Sequence, residues 1–87
     1  MKGVKEMKLW FENAYGKERV ISNDCNTWKD VHSAIEEFIA DCNRKWPNKT
    51  PFKWYYTRTW QQEDGRTRID VGSHTEFFIW EGKYDGE

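Results

Sequence analysis

Cysteine is scarce in this chain: Cys25 and Cys42 are the only two, too few for a disulfide framework. Cys25 precedes, and Cys42 lies well along, a helix that the apolar spacing predicts, which sets them roughly 20 Å or more apart and beyond bridging reach. Both are expected as free thiols. Long apolar runs are missing, as is the apolar stretch of a secretory leader, so the expectation is a soluble, cytoplasmic protein with no membrane span. A dominant charge is missing too. The formal net charge is −1, which gives no bulk electrostatic case for nucleic acid, membrane or acidic partners.

Catalytic and metal-binding signatures are equally thin. Cys25, Cys42, His32 and His74 show no metal-ligand spacing. Adjacent strand residues such as Ser73 and His74 point to opposite faces and cannot work as a Ser–His pair. Glu36 and Glu37 fall on the solvated side of the helix, and no Gly-rich phosphate loop occurs. No catalytic residue, metal or cofactor is assigned, and the chain reads as non-enzymatic.

What the sequence has in abundance is aromatic bulk: six Trp, five Phe and four Tyr in 87 residues. A single domain of this size buries only about 60–65% of its unfolded surface, so large rings are needed to fill its core. Trp28, Val31, Ile35, Phe38, Ile39, Cys42 and Trp46 recur at i, i+3, i+4, i+7 and predict one amphipathic helix from about Trp28 to Trp46. Thr27 is placed as its N-cap with Asp30 at N3, and Pro47 ends it.

Met7 to Glu12 and Glu18 to Ser22 read as strands joined by the Gly-containing loop Asn13–Lys17. Phe52 to Trp60 and Thr67 to Trp80 read as a longer pair around Asp64-Gly65, the preferred centre of a two-residue turn. The expected fold is α+β in the order β-β-α-β-β: one antiparallel four-stranded sheet with the helix on one face. Residues 1–87 form one domain. Residues 1–6 are expected to be a mobile, dispensable extension with Met7 as the natural start, because Lys-Gly-Val is encodable with a ribosome-binding AGGAG.

A turn on Asp64-Gly65 opposes Trp60 with Ile69 and Arg58 with Val71, and puts Trp54, Phe52, Phe77 and Ile79 on the core side. The other side then receives Trp10, Lys53, Tyr55, His74, Phe78 and Trp80. A bulge at Gly72 would shift this register and fold some of those rings into the core edge; otherwise that mixed aromatic and charged face is the expected partner-binding surface, since Trp and Tyr dominate interface hot spots. Its occupant is a protein, or a second copy in a homodimer. The alternative is a single-stranded nucleic acid stacked on the rings. Asp30, Glu37 and Asp41 form a secondary acidic stripe on the helix, read first as a solvated face and second as an imitation of phosphates toward a nucleic-acid-binding target. The segment from residue 44 to 68 is rich in Arg and Lys and the segment after it in acids, as cross-strand ion pairs or a basic binding edge would require.

The segment YYTRTWQQEDGRTRIDVGSHTEFFIWEG, together with KLWFENAYG and the helix, resembles short uncharacterised proteins encoded by phages and prophages of Gram-positive bacteria. The likeness is one of overall pattern and carries no functional residues over. It implies a small accessory protein that inhibits a host defence or regulatory protein or complex, anti-CRISPR proteins being one such class.

Overall fold

The computed structural model describes residues 7–73 and 75–83; the N-terminal extension expected at 1–6 and the site residue His74 lie outside them. The elements run β1 (Leu9–Glu12), β2 (Glu18–Ser22), α1 (Trp28–Lys45), β3 (Arg58–Gln61), β4 (Thr67–Asp70) and β5 (Phe77–Trp80). All neighbours are antiparallel, in the order β2-β1-β5-β4-β3. The α+β layering with one helix is as expected. Among the described residues the sheet has five strands where four were expected.

The helix forms for the reasons its sequence gives. Thr27 Oγ1 accepts the Asp30 N–H at 3.2 Å, while Asp30 Oδ2 accepts the Thr27 N–H at 3.1 Å, a complete capping box. Val31, Ile35 and Ile39 are buried against the sheet, with Trp28, Ala34 and Phe38 packed beside them. Trp46, expected to share this core, is instead the C-cap and 53% exposed, because the chain leaves helical geometry there just before Pro47.

Two local events overturn the expected strand faces. The β3–β4 loop is Glu63-Asp64-Gly65, with only Gly65 in the left-handed region (φ +90°). The Gly65 N–H donates to Gln62 O at 3.0 Å and the Gln62 N–H to Arg66 O at 2.8 Å. A three-residue loop closes the hairpin one residue away from a two-residue turn, so Trp60 pairs with Arg68 and Thr59 with Ile69. The second event breaks the expected Thr67–Trp80 strand at Val71-Gly72, where Gly72 takes φ +112°. β5 then folds back with Thr67 opposite Trp80 and Ile69 opposite Phe78.

Phe78 and Trp80, expected on the open face, are therefore core residues, 0% and 3% exposed. Phe78 packs against Phe11, Phe38 and Phe52. The Trp80 indole N–H donates to Cys25 O at 2.7 Å beside Trp28. Ile79 and Phe77, expected inward, fall on the opposite side of the sheet. Strand β3 also starts later than expected, since residues 51–57 leave the sheet and lie alongside α1, with the Trp54 ring 4.4 Å from His32.

Candidate functional site

The face of the sheet away from α1 was the expected binding surface, and Trp10 does lie on it. A row of side chains crosses all five strands there: Val20, Trp10, Ile79, Arg68 and Trp60. The rings in this row are covered by the protein's own cations. The Arg66 guanidinium sits 4.7 Å from the Trp10 ring centre and Arg68 4.7 Å from Phe77. Arg58 lies 5.8 Å from Trp60, which meets Phe77 edge-on.

Arg66 and Arg68 are also fixed by acids. Arg66 forks onto both carboxylate oxygens of Glu18 at 3.0 and 3.3 Å and bonds Asp64 at 2.8 Å. Arg68 Nη1 meets the buried Glu12 Oε1 at 2.7 Å, and its Nε–H donates to Gln62 at 2.9 Å. The Glu18 hydrogen bonds, foremost, raise the guanidinium pKa of Arg66. Hydrogen bonds from Arg66, joined by Gln62, hold the Asp64 carboxyl down to about 2. Beneath this layer Ile79 is fully buried. Arg66 and Arg68 thus cap the middle of this face, while Trp60 and Val20 at its two edges stay 42% and 41% exposed.

Two further exposed rings, Trp46 with Lys45 Nζ 5.8 Å from its centre and Tyr55, flank a groove of about 510 Å³ at the C-terminal end of α1. Its floor is the outer edge of the core, where Phe11 and Phe38 meet at 4.5 Å and Phe52 lies 6.5 Å from Phe11. The Asn43 side-chain amide shapes one wall. Its Oδ1 accepts the Phe52 N–H at 2.8 Å and its Nδ2 donates to Phe52 O at 3.0 Å, the two-bond pattern of a strand partner. This clamp holds residues 51–57 off the sheet.

Tyr55 is then set by the β4–β5 turn. Its N–H donates to Val71 O at 2.9 Å. A Cβ at Gly72 would lie 2.9 Å from Tyr55 Cβ, so only glycine admits this approach. The Ser73 hydroxyl donates to Glu76 O at 2.8 Å and accepts the Glu76 N–H at 2.9 Å, which steadies the far wall.

At the rim stand Trp46, 53% exposed, and Tyr55, 67% exposed, with Arg19, Lys49, Lys53 and Glu76. Arg19 lies over Phe38 at 5.4 Å. Among the described residues neither Arg19, Lys49 nor Lys53 forms an ion pair. Cys42 contributes to the wall. Burial pushes its thiol above the ordinary value, against the pull of Arg19 and Lys45, so at neutral pH it is an uncharged wall atom rather than a nucleophile.

Of the expected partner-binding residues, Lys53 and Tyr55 thus meet at one groove, Trp10 lies under Arg66, and Phe78 and Trp80 are inside. The acidic stripe is mostly consumed by local structure. Asp30 caps the helix, Asp41 is paired with Arg44, and Glu37 alone stays exposed without such a role. Sequence reasoning missed Trp46, Arg19 and Lys49. The Trp46-Pro47 step carried a signal for Trp46, since a ring at a helix end before proline sits where the apolar stripe runs off the sheet. Compared with protein-family models, curated proteins and solved structures, the chain matches none. No helix among the described residues is long and apolar enough to cross a membrane.

Proposed function

We propose that this chain is a non-enzymatic binding protein that docks a partner protein in the groove at the C-terminal end of α1. The observation that carries the reading is the exposure of Trp46 and Tyr55 beside Arg19, Lys49 and Lys53. Two exposed rings, and three cations that form no ion pair among the described residues, are what the fold leaves unused, and Trp, Tyr and Arg are the residue types that concentrate binding energy. The cations favour an acidic segment of the partner. The likeness to phage-encoded proteins supports a bacterial host protein or complex as that partner, in the host cytoplasm, and inhibition by occlusion of its working surface as the outcome.

The same rings flanked by cations support a second reading, a single-stranded nucleic acid with bases stacked on Trp46 and Tyr55. The two readings separate experimentally. Immobilised wild type and the Trp46→Ala/Tyr55→Ala double variant are exposed to a Gram-positive host lysate, with melting curves recorded for both. A host protein retained by wild type, and lost by a variant of unchanged stability, supports the proposal. Equal retention by both sinks it. Binding of labelled single-stranded oligonucleotides that collapses as salt rises would transfer the groove to the second reading.

A further inference from the structure

The sheet has two edges, and they differ. At β3 the edge sequence is Arg58-Thr59-Trp60-Gln61, three polar residues and a ring under Arg58. At β2 the edge carries Val20, 41% exposed, and half-buried Ile21. Among the described residues strand β2 pairs with β1 alone, so its outer row of N–H and C=O groups has no strand partner among them. An edge with exposed β-branched residues and no such partner is a template for another strand.

Beside this edge lies a cleft of about 310 Å³ between β2 and the last turns of α1. Phe38, Cys42, Val20 and Ile21 line it, with Arg19, Lys45, Trp46 and Asp41, whose carboxylate is paired with Arg44, completing it. It shares Arg19, Phe38, Cys42 and Trp46 with the larger groove, so the two form one trough along the helix.

We infer that β2 accepts an extended, acidic segment of the partner protein as a sixth antiparallel or parallel strand. The inference rests on the groove-docking reading and specifies how the partner is held. Main-chain hydrogen bonds to β2 supply register-independent affinity, and alternate side chains enter the cleft over Phe38 and Cys42. Acidic residues of the segment meet Arg19 and Lys45. Charge disfavours the other simple occupant. A second copy paired antiparallel about Val20 sets its Arg19 diagonally against this one on the same face, at roughly 7–8 Å, with neither cation compensated.

The test uses isotope-labelled full-length protein and synthetic peptides of about eight residues, long enough to span β2. One peptide alternates Glu and Val, a second alternates Lys and Val, and a third is the Glu/Val peptide N-methylated at every other residue. The expected result is saturable binding of the Glu/Val peptide, with slowed exchange of alternate amides of β2. The Lys/Val and N-methylated peptides bind about tenfold or more weaker, since each removes charge complementarity or several hydrogen bonds. Charge reversal by Arg19→Glu/Lys45→Glu, at exposed positions, inverts the peptide preference. Equal binding of the N-methylated peptide, with shifts confined to Trp46 and Tyr55, overturns strand addition while leaving the groove reading intact. Failure of every peptide at low-millimolar concentration overturns it as well. Protection of β2 that grows with protein concentration alone assigns the edge to a second copy, which also overturns it.

Discussion

Replacing Trp80 by Phe tests the strand faces directly. The indole is 3% exposed and its N–H is the donor to Cys25 O at 2.7 Å. Phenylalanine keeps a ring beside Trp28 but leaves that buried carbonyl without its donor, a cost of about 1–3 kcal/mol. The lost volume, roughly 40 Å³, adds about 1 kcal/mol at ~24 cal/mol per Å³. The expected loss is about 2–4 kcal/mol, from a domain whose total stability is on the order of 4–13 kcal/mol. In a thermal melt this lowers the midpoint by about 8 °C or more. Far-UV circular dichroism in urea is the assay, because it does not depend on the fluorescence of the residue removed. Trp60→Ala is the control: at 42% exposed on the sheet edge, it costs no more than about 1 kcal/mol. A Trp80→Phe variant within about 0.5 kcal/mol of wild type, with Trp60→Ala losing more than about 2 kcal/mol, would exchange the faces and refute the hairpin register.

Further outcomes follow from single contacts. Asn43→Ala removes both bonds to the Phe52 backbone and should cost about 1–3 kcal/mol, with Tyr55 amide exchange accelerated as the groove wall loosens. Gly72→Ala meets both a left-handed φ and the Tyr55 ring, and should cost about 1–3 kcal/mol or more in urea melts. Asp64 has a carboxyl pKa of about 2 in the fold against an ordinary 3.8; a depressed value contributes stability above the unfolded pKa and loses it as pH falls through the folded one. The stability difference between wild type and Asp64→Asn should therefore be constant above about pH 4 and narrow between there and pH 2, as read from denaturation at each pH.

The helix was legible almost to the residue because its signals are local: an apolar stripe at helical spacing, a Thr27–Asp30 cap and a terminating Pro47. The β1–β2 hairpin was legible for the same reason. The second half was not, because strand faces depend on parity. Asp64-Gly65 announced a turn correctly, but its length decides whether Trp60 or Thr59 lies inward, and both loop lengths suit the same dipeptide. A glycine such as Gly72 inside a strand pattern signals irregularity, yet whether it bulges or reverses the chain is settled by tertiary pairing of β5 with β1. That pairing places Phe78 and Trp80 inside. At the groove, Lys53 and Tyr55 were found for an incomplete reason: they share a surface because Asn43 pulls their segment off the sheet, not because they alternate along a strand.

The strand order carries a kinetic consequence. The two middle strands next to each other, β1 and β5, come from opposite ends of the described chain, with Leu9 facing Trp80. The β1–β2 hairpin and the β3–β4–β5 meander each close through short loops, but joining them requires a loop of more than sixty residues, helix included, to be pinned at once. Such non-local pairing places a small mixed domain toward the slower end of single-domain folding. Until that seam zips, the inner edges of both pieces stand open side by side, and a nearby chain in the same half-made state offers an identical edge. Rapid dilution from denaturant should therefore yield more native protein at low concentration than at high, with the β1–β5 amides the last to gain protection from exchange.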